Sequence, residues 1–532
     1  MHWRHLWEIF WITFALGGSI FVHELGHYWA AKRCGLWAPC FSIGFGPRLF
    51  SWKMNGTRFQ IALIPFGGYV ALPRMGDTEM VDEVWDPPPA DVAEKIPSFL
   101  EKIWILAAGA GFNLLFALSI ACVLWAVGIP IPKSDCTTTI GAIPQTIAHL
   151  AGDVPNPLTS SGLAIGDQIL SVDGIELQNF SQLPKLIAIG ARHTNDGQPV
   201  ADLQIRRGDD VLHLEIPVFQ SAEKENRLRH AAVFPACDLR VKTVLENSPA
   251  QRVGLRPGDQ ILAIDGRKLL SPVALDEYLQ NAEGLANLAV CRDGKILQIS
   301  IQSQPLIIQK AYMRGGRKGR TVIFVEGEKS KWLALNGPKN VKNRQFSNNE
   351  LTAKFTSLEY IPAVIHKVFG VTFENPQVLT HPNPIKLLFA DILAVWHMLC
   401  SLLNCHSDVG VQDLTGVFGM GRLLHHLIQN DLRLALAFVV SFNAGLAFLN
   451  LLPIPGLDGG FIFFALVEKA IRRPFPKWFA NFAQRLCLFL LFILLVYVCF
   501  SDVLRWRCAI NRRLFTALCP PSEFNGIICA AP

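Results

Sequence analysis

Long apolar runs separated by ordinary polar sequence predict where this chain crosses a membrane. Four runs are long enough to span a hydrocarbon core of about 30 Å as helices, and they lie at residues 6–31, 103–129, 432–452 and 482–500. A fifth run, residues 385–403, is shorter and contains Lys386, Asp391 and His397. For this run we favour an amphipathic helix at the membrane interface, with a fifth span as the alternative.

The composition agrees with a membrane protein that carries a water-facing insert. Of the 532 residues, 51% are hydrophobic and only 17% are charged, which fits neither a disordered chain nor a simple soluble one. The net charge of +6 is small for this length and gives no basis for binding nucleic acid. The 13 cysteines are scattered without a C-x-x-C pair, so we expect no disulfide framework and no structural zinc cluster.

The distribution of basic residues predicts the topology. Lysine and arginine are frequent in the loops 32–102 and 456–485, and the positive-inside rule places such loops on the cytoplasmic side. With four spans, the two termini and the insert 130–430 then face outward.

Residues 38–73, between the first two apolar runs, predict short hairpin strands because aromatic, apolar and glycine residues alternate there. Their hydrophobicity indicates contact with the membrane, where backbone groups need partners within the protein. Strand edges of this kind can bind an extended peptide by strand addition. Gly44, Gly46, Ile61 and Leu63 are therefore candidate substrate-binding positions.

The insert contains an internal repeat. The pattern G-L-x-x-G-D-Q-I-L-x-V-D-G at residues 162–174 recurs 92 residues later as G-L-x-x-G-D-Q-I-L-x-I-D-G at 254–266. Each copy predicts a turn, a strand and a tight Asp-Gly turn. We expect two tandem copies of one small β-rich domain. The basic region 310–344 that follows is expected to be solvated, with contact to anionic lipid headgroups as the alternative.

The strongest chemical signal is the motif His23-Glu24-Leu25-Gly26-His27 near the end of the first apolar run. Side chains four residues apart share one face of a helix, so both imidazoles can reach the same cation. Glu24 follows directly and can accept a proton from a metal-bound water. Ionisable groups inside an apolar span are costly and usually functional.

A third metal ligand is expected because a catalytic zinc usually has three protein ligands and a water. Asp458 is the only acidic residue between Asp431 and Glu468, and it follows the third long run in the segment N-L-L-P-I-P-G-L-D-G-G at 450–460. The two prolines of this segment cannot continue a helix, so the backbone opens there. We interpret Asp458 as the third ligand, rather than as a simple turn residue.

Together these motifs resemble the site-2 protease family of intramembrane zinc metalloproteases, and within it the bacterial sigma-E-regulating branch with tandem PDZ domains. The shared features are H-E-x-x-H in the first run, the segment G-F-G-P at 44–47, the paired repeats and N-x-x-P-x-P-x-L-D-G at 450–459. The resemblance implies that His23, His27 and Asp458 hold one zinc ion per chain. It also implies that Glu24 is the general base and that Asn450 helps to hold the substrate backbone.

Two segments depart from the family pattern. The family's G-P-x-x-N in the second span is here G-A-G-F-N at 109–113, and its G-P-[IV] before the third span is here T-G-V at 415–417. Both changes remove a proline and concern local packing and substrate choice, whereas the metal-binding positions are all filled.

The resemblance further implies cleavage of the transmembrane segments of single-span proteins, such as anti-sigma factors or signal peptides, in regulated intramembrane proteolysis. The implied partners are these substrates, the lipid bilayer and an upstream site-1 protease that acts on the same substrate. The implied location is a bacterial inner membrane, with the PDZ-like pair on the periplasmic side. The pair would then exclude bulky substrates or recruit substrate tails, and we favour exclusion.

Two other functions are compatible with parts of the sequence. A membrane-tethered PDZ scaffold with an inert metal centre would be supported by the loss of a ligand, but no ligand position is lost. An ordinary zincin acting on water-facing loops would have its third ligand on a soluble helix, whereas Asp458 follows an apolar run.

The predicted fold class is a multi-span α-helical membrane protein with about four transmembrane helices, membrane-associated β-hairpins and an inserted pair of β-rich PDZ-like domains. The predicted segments are a first transmembrane helix with the zinc motif (1–34), a cytoplasmic-side hairpin loop (35–100), a second transmembrane helix (101–130), PDZ-like domains (131–222 and 223–308), an extracytoplasmic region with an amphipathic helix (309–430), a third transmembrane helix (431–460), a cytoplasmic loop (461–481), a fourth transmembrane helix (482–504) and a tail (505–532).

Overall fold

A computed structural model gives the architecture of the chain. It describes residues 2–72, 75, 95–147, 154–220, 229–244, 248–282, 284–302, 304–306, 311–315, 321–326, 331–335, 345–347, 359–361, 366–404, 407–473 and 476–516. The basic region 310–344 and the tail 505–532 lie largely outside the described residues.

Ten helices are present in the described residues. They are α1 His2–Arg33, α2 Phe99–Val127, α3 Leu183–Ile189, α4 Pro249–Arg252, α5 Pro272–Asn281, α6 Pro384–Leu403, α7 Val417–Asn430, α8 Leu432–Leu451, α9 Asp458–Ile471 and α10 Lys477–Thr516. Four helices of the described chain are long and apolar enough to cross a membrane, namely α2, α6, α8 and the part of α10 at Trp478–Leu504. The predicted spans 103–129, 432–452 and 482–500 are thereby confirmed as candidate spans, and the run 6–31 lies within α1.

The described strands are numbered β1 to β27. They are Cys40–Met54, Thr57–Val70, Ile129–Pro132, Ile140–Ala142, Thr146–Ile147, Val154–Pro155, Gln168–Val172, Ile175–Glu176, Val200–Arg207, Asp210–Pro217, Phe219–Gln220, Arg229–His230, Phe234–Pro235, Leu239–Val244, Gln260–Ile264, Arg267–Lys268, Leu285–Arg292, Lys295–Gln302, Gln304–Leu306, Ala311–Gly315, Thr321–Glu326, Lys331–Leu335, Gln345–Ser347, Glu359–Ile361, His366–Val368, Val371–Phe373 and Gln377–Thr380. They form several small antiparallel sheets, as the predicted fold class requires.

The chain divides into two compact units. The first comprises Met1–Pro130, Val378–Leu403 and Leu414–Asp502, and the second comprises Ile131–Gln377, Asn404–Asp413 and Val503–Pro532. The first unit contains the candidate spans, apart from the last two residues of the span at Trp478–Leu504, together with β1 and β2, and the second contains the internal repeat.

Local sequence explains where the two central helices begin and end. At the start of α2, the Ser98 side chain accepts from the Glu101 N–H and the Glu101 carboxylate accepts from the Ser98 N–H, which is a capping box. At the start of α8, the Asp431 side chain accepts from the Arg433 N–H. Helix α8 ends just before Pro453, which cannot donate to a helical hydrogen bond.

Helices α1 and α8 run parallel to each other. Ala15 packs with Ala435 in one buried cluster. About one turn further along α1 and two turns further along α8, the Asn443 amide donates to Ser19 Oγ at 2.9 Å. Since residue numbers increase in the same direction along both helices, the ends of α1 and α8 that carry the HExxH motif and Asn450 lie at the same depth.

Helix α2 runs antiparallel to α1. Its first half contacts the second half of α1, because His27 Nδ1 donates to the Ile105 carbonyl at 2.8 Å. Its second half packs near the first half of α1, because Phe116 and Ile120 contact the cluster that contains Ala15. Gly128, where α2 ends, and Leu432, where α8 begins, therefore lie at the same end of the bundle.

The directions of α2 and α8 indicate whether helix α6 crosses the membrane. A single crossing between Gly128 and Leu432 would place them at opposite ends of the bundle. Between these two residues, α6 is the only described helix that has the length and hydropathy of a span. The packing thus favours the interfacial position predicted for residues 385–403, although composition alone would also allow a crossing.

Strands β1 and β2 pair with each other in one small sheet, and because both strands bend, four of their segments lie side by side. This confirms the predicted hairpins. Phe59 pairs with Trp52 on one side and with Phe41 on the other, and Phe41 also pairs with Val70. The spatial order of the segments is therefore 48–54, 57–62, 40–43 and 68–70. Within the described pairing, the edges of this sheet are the segments 48–54 and 68–70.

A sharp bend in β1 makes this arrangement possible. Gly44 and Gly46 have φ angles of 90° and 87°, which side chains with a Cβ rarely adopt. The chain turns there, so that residues 40–43 and 48–54 of one strand lie on opposite sides of residues 57–62. These two glycines therefore shape the sheet.

The second unit contains two sheets with equivalent parts, as the sequence repeat predicts. The first has the strand order β10-β9-β7-β8, and the second has the order β18-β17-β15-β14-β26 with β16 beside β15. Each surrounds its own apolar core. Asp173 and Asp265 occupy the same tight turn in the two copies, with positive φ angles of 48° and 44°.

An ion pair with a buried carboxylate recurs at equivalent positions of the two repeats. Asp167 and Asp259 are each 1% exposed. Asp167 pairs with Arg207 and Asp259 pairs with Arg292, in both cases at 2.7 Å. Burial would raise the pKa of the Asp259 carboxyl, but the hydrogen bonds from the Arg292 side chain and the Arg256 N–H, together with the charges of both arginines, leave that pKa below its ordinary value. The two copies therefore share polar contacts as well as a fold.

The segment Asn404–Asp413 is fastened to the first repeat by a buried ion pair. Arg229, which is 1% exposed, donates to the Asp408 carboxylate at 2.5 Å and to the Arg192 carbonyl at 2.9 Å. Breaking a buried pair of this kind leaves an uncompensated charge and usually costs several kcal/mol. This contact explains why a segment that follows α6 belongs to the second unit.

Candidate metal centre

Helix α1 presents two imidazoles on one face. His23 and His27 lie one turn apart, and their Nε2 atoms are 3.2 Å from each other. His27 is 8% exposed, and its Nδ1–H donates to the Ile105 carbonyl of α2, which leaves Nε2 free to bind a cation. The i, i+4 spacing therefore does place both rings at one point, as predicted from sequence.

Asp458 reaches the same point from the other end of the chain. It is the first residue of α9 and follows the proline-containing turn after α8. Its Oδ2 lies 3.2 Å from His23 Nε2 and 3.4 Å from His27 Nε2. Within the described part of the chain, these three residues are the one group of His, Cys, Asp or Glu side chains that can hold a metal ion together.

The geometry of these three atoms fits zinc. Zinc–ligand distances of about 2.0–2.2 Å in a tetrahedral site place neighbouring ligand atoms about 3.3–3.6 Å apart, and the separations here are 3.2, 3.2 and 3.4 Å. Asp458 Oδ2 is buried and has no hydrogen bond among the described residues. A buried carboxylate oxygen without a donor is costly unless a cation neutralises it. Two imidazoles and one carboxylate are also a common ligand set for catalytic zinc.

Glu24 lies beside this group and is only 7% exposed. It also adjoins the small sheet, since a Cβ added at Gly68 would lie 2.9 Å from Glu24 Cγ. The edge segment 68–70 therefore passes directly along the carboxylate-bearing face of α1.

Asn450 is also close to the group. Its Nδ2 lies 3.5 Å from His23 Nε2, the ring nitrogen that faces Asp458. The amide of Asn450 thus lies next to the point where the three ligand atoms converge. Asn450 is at the same depth as His23 because α1 and α8 pack in parallel.

The predicted hairpin residues occupy different positions. Gly44 and Gly46 form the bend in β1, Ile61 pairs with both Ile43 and Phe50 in the interior of the sheet, and Leu63 is 56% exposed. No described contact joins any of them to the metal ligands. The residue of the sheet that touches Glu24 is Gly68, which alternation alone did not single out.

Sequence reasoning singled out the segment 109–113 of α2 but did not predict its contacts with the two histidines. A Cβ on Gly109 would lie 2.4 Å from His27 Nε2 and 2.8 Å from His23 Cε1, so the two rings rest directly on the α2 backbone. Asn113, one turn further on, is fully buried, and its Nδ2 is 3.4 Å from His23 Nδ1. A signal was present in the sequence, because Asn113 is the only carboxamide in the apolar run 103–129.

A His-His-Asp group with an adjacent glutamate, held within apolar helices, defines the class of membrane zinc metalloproteases. The model of peptidase family M50 matches residues 11–494. The chain belongs to this family, the site-2 proteases, and the resemblance noted in the sequence is confirmed.

Curated relatives agree with this assignment. The chain is 25% identical over 515 residues to "Regulator of sigma E protease" of Haemophilus influenzae, and 27% identical over 512 residues to "Regulator of sigma-E protease RseP" of Escherichia coli. In both cases the match covers 94% of this chain and 99% of the relative. Family membership implies zinc as the metal and membrane proteins as the substrates.

Proposed function

We propose that this protein is an intramembrane endopeptidase that cleaves the transmembrane segments of single-span proteins, with one zinc ion per chain held by His23, His27 and Asp458. The observation that carries the proposal is the convergence of these three ligand atoms beside the buried Glu24, on helices α1 and α9, which pack against the candidate spans α2 and α8. Buried ionisable groups at such a position are costly and therefore indicate function.

The substrate must be extended before it can be cut, because the carbonyls of a helix are already hydrogen-bonded. The edge segment 68–70 of the small sheet lies against Glu24 and provides backbone groups to which an extended segment can be added. Strand addition there would bring a substrate peptide bond next to the metal ligands. Gly44 and Gly46 contribute by shaping the sheet, and Ile61 and Leu63 by forming it.

The proposed chemistry follows from the residues at the centre. Zinc, when bound, polarises the carbonyl of the scissile bond as a Lewis acid. The Glu24 carboxylate accepts a proton from the attacking water and can donate it to the departing amine. The Asn450 amide, 3.5 Å from His23 Nε2, orients the substrate backbone at the same place.

The paired repeats and the relatives support a place in a proteolytic cascade. Two related β-rich domains in one insert would block a substrate that has a bulky water-facing domain and admit one that another protease has already trimmed. Two relatives are named as regulators of sigma E, which favours anti-sigma factors as substrates and a site-1 protease upstream. We place the protein in a bacterial inner membrane, with the repeats on the periplasmic side, because basic residues are concentrated in loops 32–102 and 456–485.

Metal removal tests this function. We expect that full-length protein in detergent, stripped of metal by a chelator, loses cleavage of a single-span reporter and regains it with one equivalent of zinc. Mass spectrometry of the products should place the cut within the apolar segment of the reporter. Asp458→Asn is the matched control, because it removes one anionic ligand and should not be restored by one equivalent.

Two results would contradict the proposal. A cut in a water-facing loop of the reporter would indicate an ordinary zincin. A zinc-loaded protein that cleaves no single-span reporter, trimmed or untrimmed, would indicate an inert scaffold.

A proline at Ile61 should lower cleavage of the same reporter at least tenfold while the zinc content stays unchanged. Proline has no N–H to donate, and Ile61 lies in an interior segment with partners on both sides. The matched control is Leu49→Pro, in the edge segment farthest from residues 68–70, where Leu49 is 64% exposed. Equal rates for the wild type and Ile61→Pro would show that the sheet does not hold the substrate.

A further inference from the structure

One face of α2 forms the polar surroundings of both histidine ligands. Ile105, Gly109 and Asn113 follow each other at intervals of four residues and so share a face. The Ile105 carbonyl accepts from His27 Nδ1–H at 2.8 Å, Gly109 provides space for both rings, and the Asn113 amide lies 3.4 Å from His23 Nδ1. The contacts to Ile105 and Asn113 are made at the ring nitrogens that point away from Asp458.

The two contacts differ in what they require of the ring. An imidazole that binds a cation through Nε2 keeps its proton on Nδ1 and must donate it. For His27 the acceptor is a backbone carbonyl, which can only accept. For His23 the group is a carboxamide, which can present either its oxygen or its NH₂ group.

The proton that a zinc-bound His23 carries on Nδ1 decides between these two orientations. With Nδ2 towards His23, the NH₂ group donates to Nδ1, which would put the ring proton on Nε2, where it would face Asp458. In that orientation Asn113 Oδ1 is buried and has no partner among the described residues. Oxygen and nitrogen of an amide have nearly the same shape, so turning it over changes only which one faces the ring. The turned amide accepts from His23 Nδ1–H, as a zinc-bound imidazole requires, and its NH₂ group takes the former position of the oxygen.

We propose that Asn113 is a positioning residue of the metal centre, and that its side-chain oxygen accepts from His23 Nδ1–H and thereby keeps His23 Nε2 free for zinc. The proposal rests on the assignment of His23 as a ligand in the proposed function. Asn113 acts through His23 and makes no contact of its own with the metal. The peptide carbonyl of Ile105 does the same for His27, so α2 fixes the proton position on both rings.

Zinc affinity measured by competition with a chromogenic chelator, on full-length protein in detergent, tests this role. Asn113→Leu has nearly the same size but no acceptor, and it should bind zinc about 10–100-fold more weakly. Asn113→Asp keeps an acceptor oxygen and should bind zinc at least as tightly as the wild type. Ser119→Ala is the matched control, because it removes a polar group from the exposed side of the same helix and should leave the affinity unchanged.

The aspartate variant separates the proposal from a merely structural role and from the opposite amide orientation. If the NH₂ group were the important partner, Asn113→Asp would weaken zinc binding at least tenfold, and the proposal would be overturned. Wild-type affinity in a folded Asn113→Leu variant would also overturn it. If Asn113→Leu does not fold, the comparison of Asn113→Asp with the wild type still decides. A wild-type protein that binds no zinc would instead contradict the proposed metal site.

Discussion

Replacing Glu24 by glutamine should reduce cleavage of a single-span reporter by about 10²–10⁴-fold, which is the usual contribution of a general base. Zinc content should remain that of the wild type, because the three ligands are other residues. Glutamine matches glutamate in size and fits the same buried position between α1 and Gly68, where Glu24 is 7% exposed. Glutamine cannot accept a proton at neutral pH, so the rate of the chemical step should fall while zinc binding should not change.

Single-turnover rates and metal analysis on the same preparation provide the measurement. Glu24→Asp is the informative control, since it keeps the carboxylate but withdraws it by one methylene and should retain part of the activity. A Glu24→Gln protein that cleaves at the wild-type rate would mean that another group accepts the proton.

A second large effect is expected at Gly109, although this residue has no functional group. The added Cβ of Gly109→Ala would lie 2.4 Å from His27 Nε2 and 2.7 Å from His27 Cε1, far inside normal contact. Both imidazoles would have to move away from α2, which would disturb the arrangement of the three ligand atoms, and zinc affinity should fall at least 100-fold, with loss of cleavage. The effect would come from geometry, because alanine is otherwise a better helix former than glycine by about 1 kcal/mol.

Gly111→Ala is the matched control for this prediction. It lies two residues further along α2, and a Cβ added there meets nothing within 4 Å. The control should bind zinc and cleave as the wild type does. If Gly109→Ala also retained both properties, the close approach of α2 to the ligands would have no role in the metal centre.

The sequence predicted those features that depend on a local pattern. The i, i+4 spacing of His23 and His27 placed both rings together, and the scarcity of acidic residues near α8 identified Asp458. Apolar length predicted three of the four candidate spans, whereas the fourth, Pro384–Leu403, was predicted as an interfacial helix. Self-comparison predicted the paired domains. In each case one periodicity or one rare residue type was sufficient for the prediction. No information about long-range contacts was needed.

Features that depend on how distant elements meet were not predictable from one sequence. Alternation in residues 38–73 indicated strands, but only the register shows that Ile61 is interior and that the segment 68–70 adjoins Glu24. Gly109 begins the G-A-G-F-N segment noted in the sequence, but only the packing of α1 against α2 shows that it lies against the histidine rings. The composition of residues 385–403 allowed two positions, and the parallel course of α1 and α8 favours one of them.

The position of Asp458 has a consequence for the time at which the enzyme becomes active. His27 and Asp458 are more than 400 residues apart in the chain, yet their side chains are 3.4 Å apart in the fold. At a synthesis rate of roughly 5–20 residues per second, about 20–90 s separate the translation of the two ligands. Throughout that interval the nascent chain has a histidine pair and a glutamate but no third ligand. A protease that could cleave neighbouring membrane proteins would thus be inactive until its insert and its later helices have been synthesised.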